Sequence, residues 1–155
     1  MNIVIASDHT GVAQKAAIIK HLQGQGHVVG DLGPSLEDSV DYPDFAELVA
    51  RAVASGQAEI GVLLCGTGIG MAIAANKVQG IRAANVTSPE LARLAREHND
   101  ANVLTLSGRF VNLDDNIQIV DAFLATAFAA GRHVQRVEKI AGLESPSCAS
   151  LPGEL

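Results

Sequence analysis

The sequence predicts an α/β fold: a single doubly wound domain with a five-stranded parallel sheet, helices on both faces and an extra C-terminal helix. Two observations predict it. Short apolar runs of strand length alternate with segments whose apolar residues recur at helical spacing. The chain also has 155 residues, 48% of them hydrophobic, which fits one core. We expect the domain to span 1–144, followed by a loose, Ser- and Pro-rich tail at 145–155.

The first half of the chain contains two strands and two helices. The run "NIVIAS" at 2–7 predicts a fully buried strand, and "HVVGDLG" at 27–33 predicts a second strand with its turn. The helix between them ends at "GQGH". Its apolar positions are Val12, Ala16, Ile19 and Leu22. Pro43 in "DYPD" begins the second helix. The apolar stripe of that helix comprises Phe45, Leu48, Val49, Ala52 and Val53.

The second half continues the alternation. The third, fourth and fifth strands are predicted at "EIGVLLC" (59–65), "IRAANV" (81–86) and "NVLTLS" (102–107). The alanine-rich 71–78 is the third helix, and "TSPE" at 87–90 begins the fourth, with Thr87 or Ser88 as its cap. The fifth helix is marked by Leu113, Ile117, Val120, Leu124 and Ala127. The last helix follows "GRH" and has Val134, Val137 and Ile140 on one side.

Charge and composition exclude several classes of protein. A net charge of −6 disfavours electrostatic binding of nucleic acid. Two cysteines, Cys65 and Cys148, suit a reducing cytosol, and the N-terminus lacks the pattern of a signal peptide, so we expect a cytoplasmic protein. The uncharged stretch 60–76 approaches the length of a membrane span. Four glycines and two polar side chains interrupt it, so a buried strand, a turn and a helix explain it better.

The expected strand order is 2-1-3-4-5, and it predicts where a ligand would bind. In such sheets, ligands lie at the carboxyl ends of the strands where the strand order reverses, here between the first and third strands. Asp8 and His9 follow the first strand, and 65–70 follows the third. Two polar clusters therefore fall at the expected site.

The glycine turn after the third strand predicts an anion site. Gly66, Gly68 and Gly70 allow backbone N–H groups to converge at the start of a helix. A thiolate of Cys65 could serve there as a base or a nucleophile; alternatively, Cys65 is a small buried side chain. Thr67 either donates to an oxyanion or caps the helix. The G-x-G-x-G spacing matches neither a dinucleotide-binding fingerprint nor a P-loop.

Asp8 and His9 could bind hydroxyl groups, shuttle protons or hold a metal. Alternatively, Asp8 caps the helix that begins near Thr10. A metal would need further ligands such as Cys65 and His98, and no ligand spacing supports that set, so we predict no metal.

Three further candidates lie later in the chain. His98 shares an apolar face with Leu91, Leu94 and Ala95, which is common for a core histidine. It precedes a turn at the end of the sheet opposite Cys65, so a role in the same reaction would place it in another subunit. Arg132 and Arg136, four residues apart, share a helix face suited to a phosphate, and Arg109 could join the same anion. The alternative is a solvated basic face.

Six segments together resemble one family. They are "SDHTG" (7–11), "DYPD" (41–44), "CGTGIGMAIAANK" (65–77), "GIRA" (80–83), "EHNDANVL" (97–104) and "GRHVQRV" (131–137). In this order they resemble the B-type ribose-5-phosphate isomerases and the related galactose-6-phosphate isomerase subunits, over about 1–144. One branch of that family uses a glutamate base where this chain has Met71, so the chain resembles the branch that uses a cysteine.

The resemblance implies a role for each candidate. Cys65 matches the base, and His98 the group that helps to open the sugar ring. Thr67 and Asp8 match contacts to the ring oxygen and hydroxyls. The anion hole for the enediolate corresponds to Gly66, Thr67, Gly68, Ile69 and Gly70, together with Asn99. Phosphate and substrate contacts correspond to His9, Arg109, Arg132 and Arg136, and Tyr42 matches a position that lines the substrate.

The resemblance therefore implies a cofactor-independent aldose–ketose isomerase of carbohydrate metabolism that converts D-ribose 5-phosphate to D-ribulose 5-phosphate, as in the pentose phosphate pathway. It also implies a homodimer with shared active sites; a tetramer stays open. One alternative is the same chemistry on a tetrose or hexose phosphate. Another is a non-catalytic phosphosugar-binding module, which would need the glycine turn but not Cys65.

Overall fold

Five parallel strands form one sheet, in a computed structural model that describes residues 1–35 and 39–144. The strands are β1 (Asn2–Ser7), β2 (Val28–Asp31), β3 (Ile60–Cys65), β4 (Ala83–Asn85) and β5 (Val103–Ser107). Their spatial order is β2-β1-β3-β5-β4, and every pair is parallel. The predicted fold class is confirmed, but the predicted order 2-1-3-4-5 is wrong at one edge.

Burial explains the exchange of the last two strands. A central strand of a parallel sheet is covered on both faces, so nearly all of it must be buried. Every residue of β5 is buried, whereas the three residues of β4 are half-buried or exposed. The longer, fully buried strand therefore lies beside β3, and the short strand occupies the edge.

Within the described residues, six α-helices connect or follow the strands. They are α1 (Val12–Gly24), α2 (Tyr42–Ala54), α3 (Ile69–Ala75), α4 (Pro89–Asn99), α5 (Leu113–Ala125) and α6 (Val134–Gly142). A 3-10 turn, Gly131–His133, precedes α6. Helices α1, α4 and α5 contribute to the apolar core on one face of the sheet, and α2 and α3 to the core on the other. The predicted helices on both faces are confirmed.

One local prediction is confirmed, and several others differ from the structure. Ser88 caps α4, since its Oγ accepts a hydrogen bond from the Leu91 N–H at 3.3 Å. Helix α3 begins two residues before the predicted Met71, because the glycine turn is tighter than expected, and α5 ends at Ala125 rather than Ala127. In α2, Leu48 is 52% exposed, because the buried face is formed by smaller side chains. Those side chains are Ala46, Val49, Ala50 and Val53.

Helix α6 is the predicted extra C-terminal helix, and it has no buried residue. Its apolar side chains Val134 and Ile140 are 36% and 41% exposed. No helix among the described residues is long and apolar enough to cross a membrane. The predicted loose tail at 145–155, with Cys148, lies outside the described residues.

Candidate active site

The turn between β3 and α3 brings a sulfur atom against backbone N–H groups. Cys65 is the last residue of β3 and is 5% exposed. Its Sγ accepts a hydrogen bond from the Gly68 N–H at 3.1 Å. Gly68 has a φ of +79°, a conformation that L side chains rarely adopt, and this lets its amide point back at the sulfur. The sulfur therefore faces a backbone donor at the start of α3.

Thr67 and Ile69 form the exposed rim of this turn. Thr67 Oγ1 accepts a hydrogen bond from the Ile69 N–H at 3.2 Å, so its hydroxyl proton can be donated elsewhere. The residue that caps α3 is Gly68, not Thr67. The hydroxyl therefore stands beside Cys65 at the mouth of the turn.

The segment after β1 runs next to the glycine turn. The Asp8 N–H donates to the Leu64 carbonyl at 2.9 Å, which places Asp8 beside the end of β3. Asp8 is 7% exposed, and its Oδ1 accepts bonds from the Thr10 N–H and hydroxyl at 2.8 and 2.5 Å. Helix α1 begins later, after Gly11, so Asp8 orders the turn and is not the cap of the helix. His9 is half-buried, and its Nδ1 is enclosed with no hydrogen-bond partner among the described residues.

Arg109 lies over the glycine turn because β5 lies next to β3. Cys65 pairs with Ser107 across the two strands, and the Arg109 N–H donates to the Gly66 carbonyl at 3.2 Å. A methyl group at Gly66 would lie 3.6 Å from Arg109 Cζ, so the guanidinium covers that glycine. With the predicted strand order, β4 would have separated the two. Arg109 therefore lies beside the predicted anion site, and its contact with an anion stays a prediction.

Tyr42 reaches the same turn from the start of α2. A methyl group at Gly70 would lie 2.8 Å from two carbons of the Tyr42 ring, so the ring lies directly against this glycine. The ring is partly exposed, at 41% for the whole residue. Tyr42 therefore lines the turn, and its contact with the substrate stays a prediction.

The remaining candidates form a second cluster near the amino ends of the strands, on the opposite side of the sheet from the carboxyl ends that carry Cys65. It comprises His98, Asn99, Arg132 and Arg136. Because α4 runs from the end of β4 back to the start of β5, His98 and Asn99 lie near Val103, not near Ser107. Those two positions are separated by about 13 Å at ~3.3 Å per residue. One chain therefore does not bring His98 or Asn99 to Cys65.

The second cluster contains a residue to which the sequence assigned no role. The rings of His98 and His133 stack with centroids 4.4 Å apart and planes 8° from parallel. Burial lowers the pKa of His133 from its ordinary value, and the nearby charges of His98, Arg132 and Arg136 lower it further. From the segment "GRHVQR" we predicted only that Arg132 and Arg136 share one face of a helix. The one sequence feature that could have indicated a role for His133 is its position next to Arg132 at the start of that helix.

Ser107 is the second functional side chain that sequence reasoning missed. It is buried at the end of β5, and its Oγ donates to the Gly66 carbonyl at 2.8 Å and accepts from the Phe110 N–H at 3.0 Å. It thus ties the glycine turn to the turn that carries Arg109. Only the position of β5 beside β3 reveals this role.

A cleft of about 450 Å³ lies away from Cys65, between the α3–β4 connection and α6, and is lined by residues such as Asn76, Ile81 and Ile140. The candidate site is therefore identified by its chemistry and not by this cleft.

Comparison with known proteins identifies the family of the chain. Residues 3–140 match the model of a family described as Ribose/Galactose Isomerase. The chain belongs to this family. Among its relatives, the probable ribose-5-phosphate isomerase B of Mycoplasma pneumoniae is 52% identical over 92% of this chain and 94% of its own length. The ribose-5-phosphate isomerase B of Escherichia coli is 46% identical over 92% and 95%, respectively.

Solved structures of the ribose/galactose isomerase family superpose closely on the chain. The Clostridium thermocellum ribose-5-phosphate isomerase B has a TM-score of 0.92 and 51% identity, covering 93% of this chain and 97% of its own. The Mycoplasma genitalium enzyme, solved with bound ribulose-5-phosphate, has a TM-score of 0.90 and 50% identity, covering 94% and 97%.

Proposed function

We propose that this chain interconverts D-ribose 5-phosphate and D-ribulose 5-phosphate through an enediolate, without a cofactor. The observation that carries the proposal is the Cys65 sulfur, held 3.1 Å from the Gly68 nitrogen at the end of β3. The ribulose-5-phosphate bound in the M. genitalium relative supports the choice of sugar.

Cys65 moves a proton between two neighbouring carbons. Its thiolate takes the proton from C2 of the open-chain aldose, and the electron pair moves through C1 onto O1, which gives an enediolate. The thiol then returns the proton to C1, and O2 becomes the ketone oxygen as its own proton is transferred. Backbone N–H groups of the turn at 66–70 other than those of Gly68 and Ile69, which are bonded to Cys65 and Thr67, stabilise the charged oxygen, the type of interaction that contributes most to such reactions.

Ring opening precedes this transfer, because the aldose phosphate is mostly a cyclic hemiacetal. We assign to His98 the donation of a proton to the ring oxygen O4, while the C1–O4 bond breaks and the O1 proton passes to Asp8. Thr67 hydrogen-bonds the same oxygens. No electrons leave the sugar, so no redox partner is needed.

The phosphate would be held by cations from both clusters. Arg109 and His9 stand at the glycine turn, and Arg132 and Arg136 flank the second cluster. Arginine matches the phosphate geometry with two parallel hydrogen bonds, so it fixes the carbon chain against Cys65. Tyr42 and Asn99 line the remaining sides.

We propose a homodimer with shared sites, because the two clusters are separated within one chain. A two-fold interface that sets the first cluster of one chain against the second cluster of its partner would complete two sites at once. The exposed apolar side chains of Leu91 and Ile140, at 47% and 41%, lie on the elements of the second cluster and offer apolar area for such an interface. We place the enzyme in the cytoplasm, as its cysteine content suggests.

Deuterium exchange separates the two chemical roles. Ribulose 5-phosphate cannot close a furanose ring, because O5 carries the phosphate, so exchange at its C1 needs the base but no ring opening. In deuterated buffer, Cys65→Ala is expected to lose both exchange and isomerisation of ribose 5-phosphate, by about 100-fold or more. His98→Ala is expected to lose isomerisation but to keep exchange. Near-normal turnover by Cys65→Ala would refute the assigned base.

Complementation tests the shared site. When Cys65→Ala and His98→Ala chains are unfolded, mixed equally and refolded, about half of the dimers are mixed, and each mixed dimer has one intact site. About a quarter of wild-type activity should return. Confirmed mixed dimers without activity would show that His98 acts within its own chain.

A hexose phosphate is the second candidate substrate, since the family description includes galactose isomerases. Comparing kcat/KM for ribose 5-phosphate with that for tetrose and hexose phosphates would decide. A larger value for a hexose phosphate would overturn the pentose assignment while leaving the chemistry intact.

A further inference from the structure

His133 is unusual within the C-terminal segment. The residues of α6 after it are exposed or half-buried, yet His133 is only 8% exposed. Its Nδ1 is enclosed, with no hydrogen-bond partner in the described part of the chain. A buried polar atom without a partner costs free energy, so it calls for a compensating role.

The ring of His133 contacts the ring of His98. The 4.4 Å spacing and 8° angle describe a face-to-face stack between the last turn of α4 and the turn before α6. The backbone reinforces this arrangement, because the Ala129 N–H donates to the Glu97 carbonyl at 3.0 Å. The two elements are therefore joined immediately beside the stacked rings.

His98 has little else to fix its orientation. Its side chain is 38% exposed, and the nearest ion-pair partner of its Nε2 is Glu97 Oε1 at 3.7 Å, beyond hydrogen-bond distance. Within residues 1–35 and 39–144, its ring nitrogens make no hydrogen bond. The stack is thus the contact that limits rotation of the His98 ring.

The charge state of His133 suits this role. Burial is the largest cause that lowers its pKa, followed by the charges of His98, Arg132 and Arg136, so the ring is uncharged at neutral pH. An uncharged ring can stack on His98 without the repulsion that two protonated imidazoles would suffer.

We propose that His133 is a positioning residue that, by stacking, holds the His98 imidazole in the orientation needed to deliver a proton to the sugar ring oxygen. This inference rests on the proposed role of His98 in ring opening. It concerns only the step that a cyclic substrate requires and leaves the proton transfer at Cys65 unaffected.

Two substitutions separate stacking from other effects. His133→Ala removes the ring, and His133→Phe keeps a flat ring of similar size without nitrogen atoms. His27→Ala, at a half-buried histidine just before β2, which is the edge strand on the side of the sheet away from β5 and β4, is the matched control. Each variant is assayed for isomerisation of ribose 5-phosphate and for deuterium exchange at C1 of ribulose 5-phosphate, with its fold verified by thermal unfolding.

We expect His133→Ala to lower kcat for ribose 5-phosphate by about tenfold while C1 exchange stays near the wild-type rate, because only the general-acid step is misaligned. His133→Phe should recover most of the lost kcat, and His27→Ala should match the wild type. Wild-type turnover by His133→Ala, an equal loss in His133→Phe, or an equal fall in exchange would each overturn the proposal. Wild-type turnover by His98→Ala would instead refute the role of His98 itself.

Discussion

Replacing Gly68 by alanine tests the geometry of the glycine turn. The new methyl group would lie 2.3 Å from Asn85 Oδ1, 3.0 Å from the Leu106 carbonyl oxygen and 3.1 Å from its carbon. The Asn85 side chain can move, but the Leu106 backbone belongs to the central strand β5 and cannot. Alanine at φ +79° costs about 1 to 2 kcal/mol, and crowding a packed site adds about 1 to 3 kcal/mol.

Gly56 provides a matched control. It has a φ of +78°, and a methyl group there would meet nothing within 4 Å. Gly56→Ala should therefore lose only the backbone term, about 1 to 2 kcal/mol, and keep full activity. Gly68→Ala should lose about 2 to 5 kcal/mol in urea unfolding. Its kcat should fall by about 100-fold, because relieving the clash moves the Gly68 amide away from the Cys65 sulfur. Equal destabilisation of the two variants, with wild-type kcat in Gly68→Ala, would refute this reasoning.

Two further predictions concern buried polar groups. Asn116 is fully buried, and its Nδ2 donates to Gln14 Oε1 at 2.7 Å and to the Ser107 carbonyl at 2.9 Å. We expect Asn116→Ala to lower the free energy of unfolding in urea by about 2 to 4 kcal/mol. Asn116→Asp should lower it further, because a carboxylate would face two hydrogen-bond acceptors. The reverse order of the two variants would contradict this contact pattern. The pKa of His133 is lowered in the folded chain. As the pH falls through about 6.5, the unfolded chain therefore binds more protons at this residue than the folded chain does. Acidification should thus lower the free energy of unfolding through His133. The unfolding free energy of wild type minus that of His133→Phe should be constant above that pH and fall below it; a difference independent of pH would exclude the lowered pKa.

Some features were predictable because they depend on neighbours in the sequence. Ser88 caps α4 as predicted, since a hydroxyl before Pro89 and Glu90 is a local signal. The stripe formed by Leu91, Leu94, Ala95 and His98 was read correctly as helical, but only Ala95 of this stripe is buried, and Leu91 is 47% exposed. The other buried residue of α4 is Ala92, which was not part of the predicted stripe. The sequence could not show which apolar stripe of a helix is covered.

The sequence by itself determined the alternation of strands and helices, because the spacing of apolar residues sets the periodicity of each segment. It also determined that Asp8 and Cys65 lie close together, because neighbouring parallel strands have their carboxyl ends on the same side of the sheet. Only the tertiary structure decided that β5 rather than β4 lies beside β3, which brings Arg109 and Ser107 to the glycine turn. It also decided that His98 stacks on His133 near the amino ends of the strands. These outcomes depend on which strands and rings bury the most apolar surface against one another, and the local spacing of residues does not contain that information.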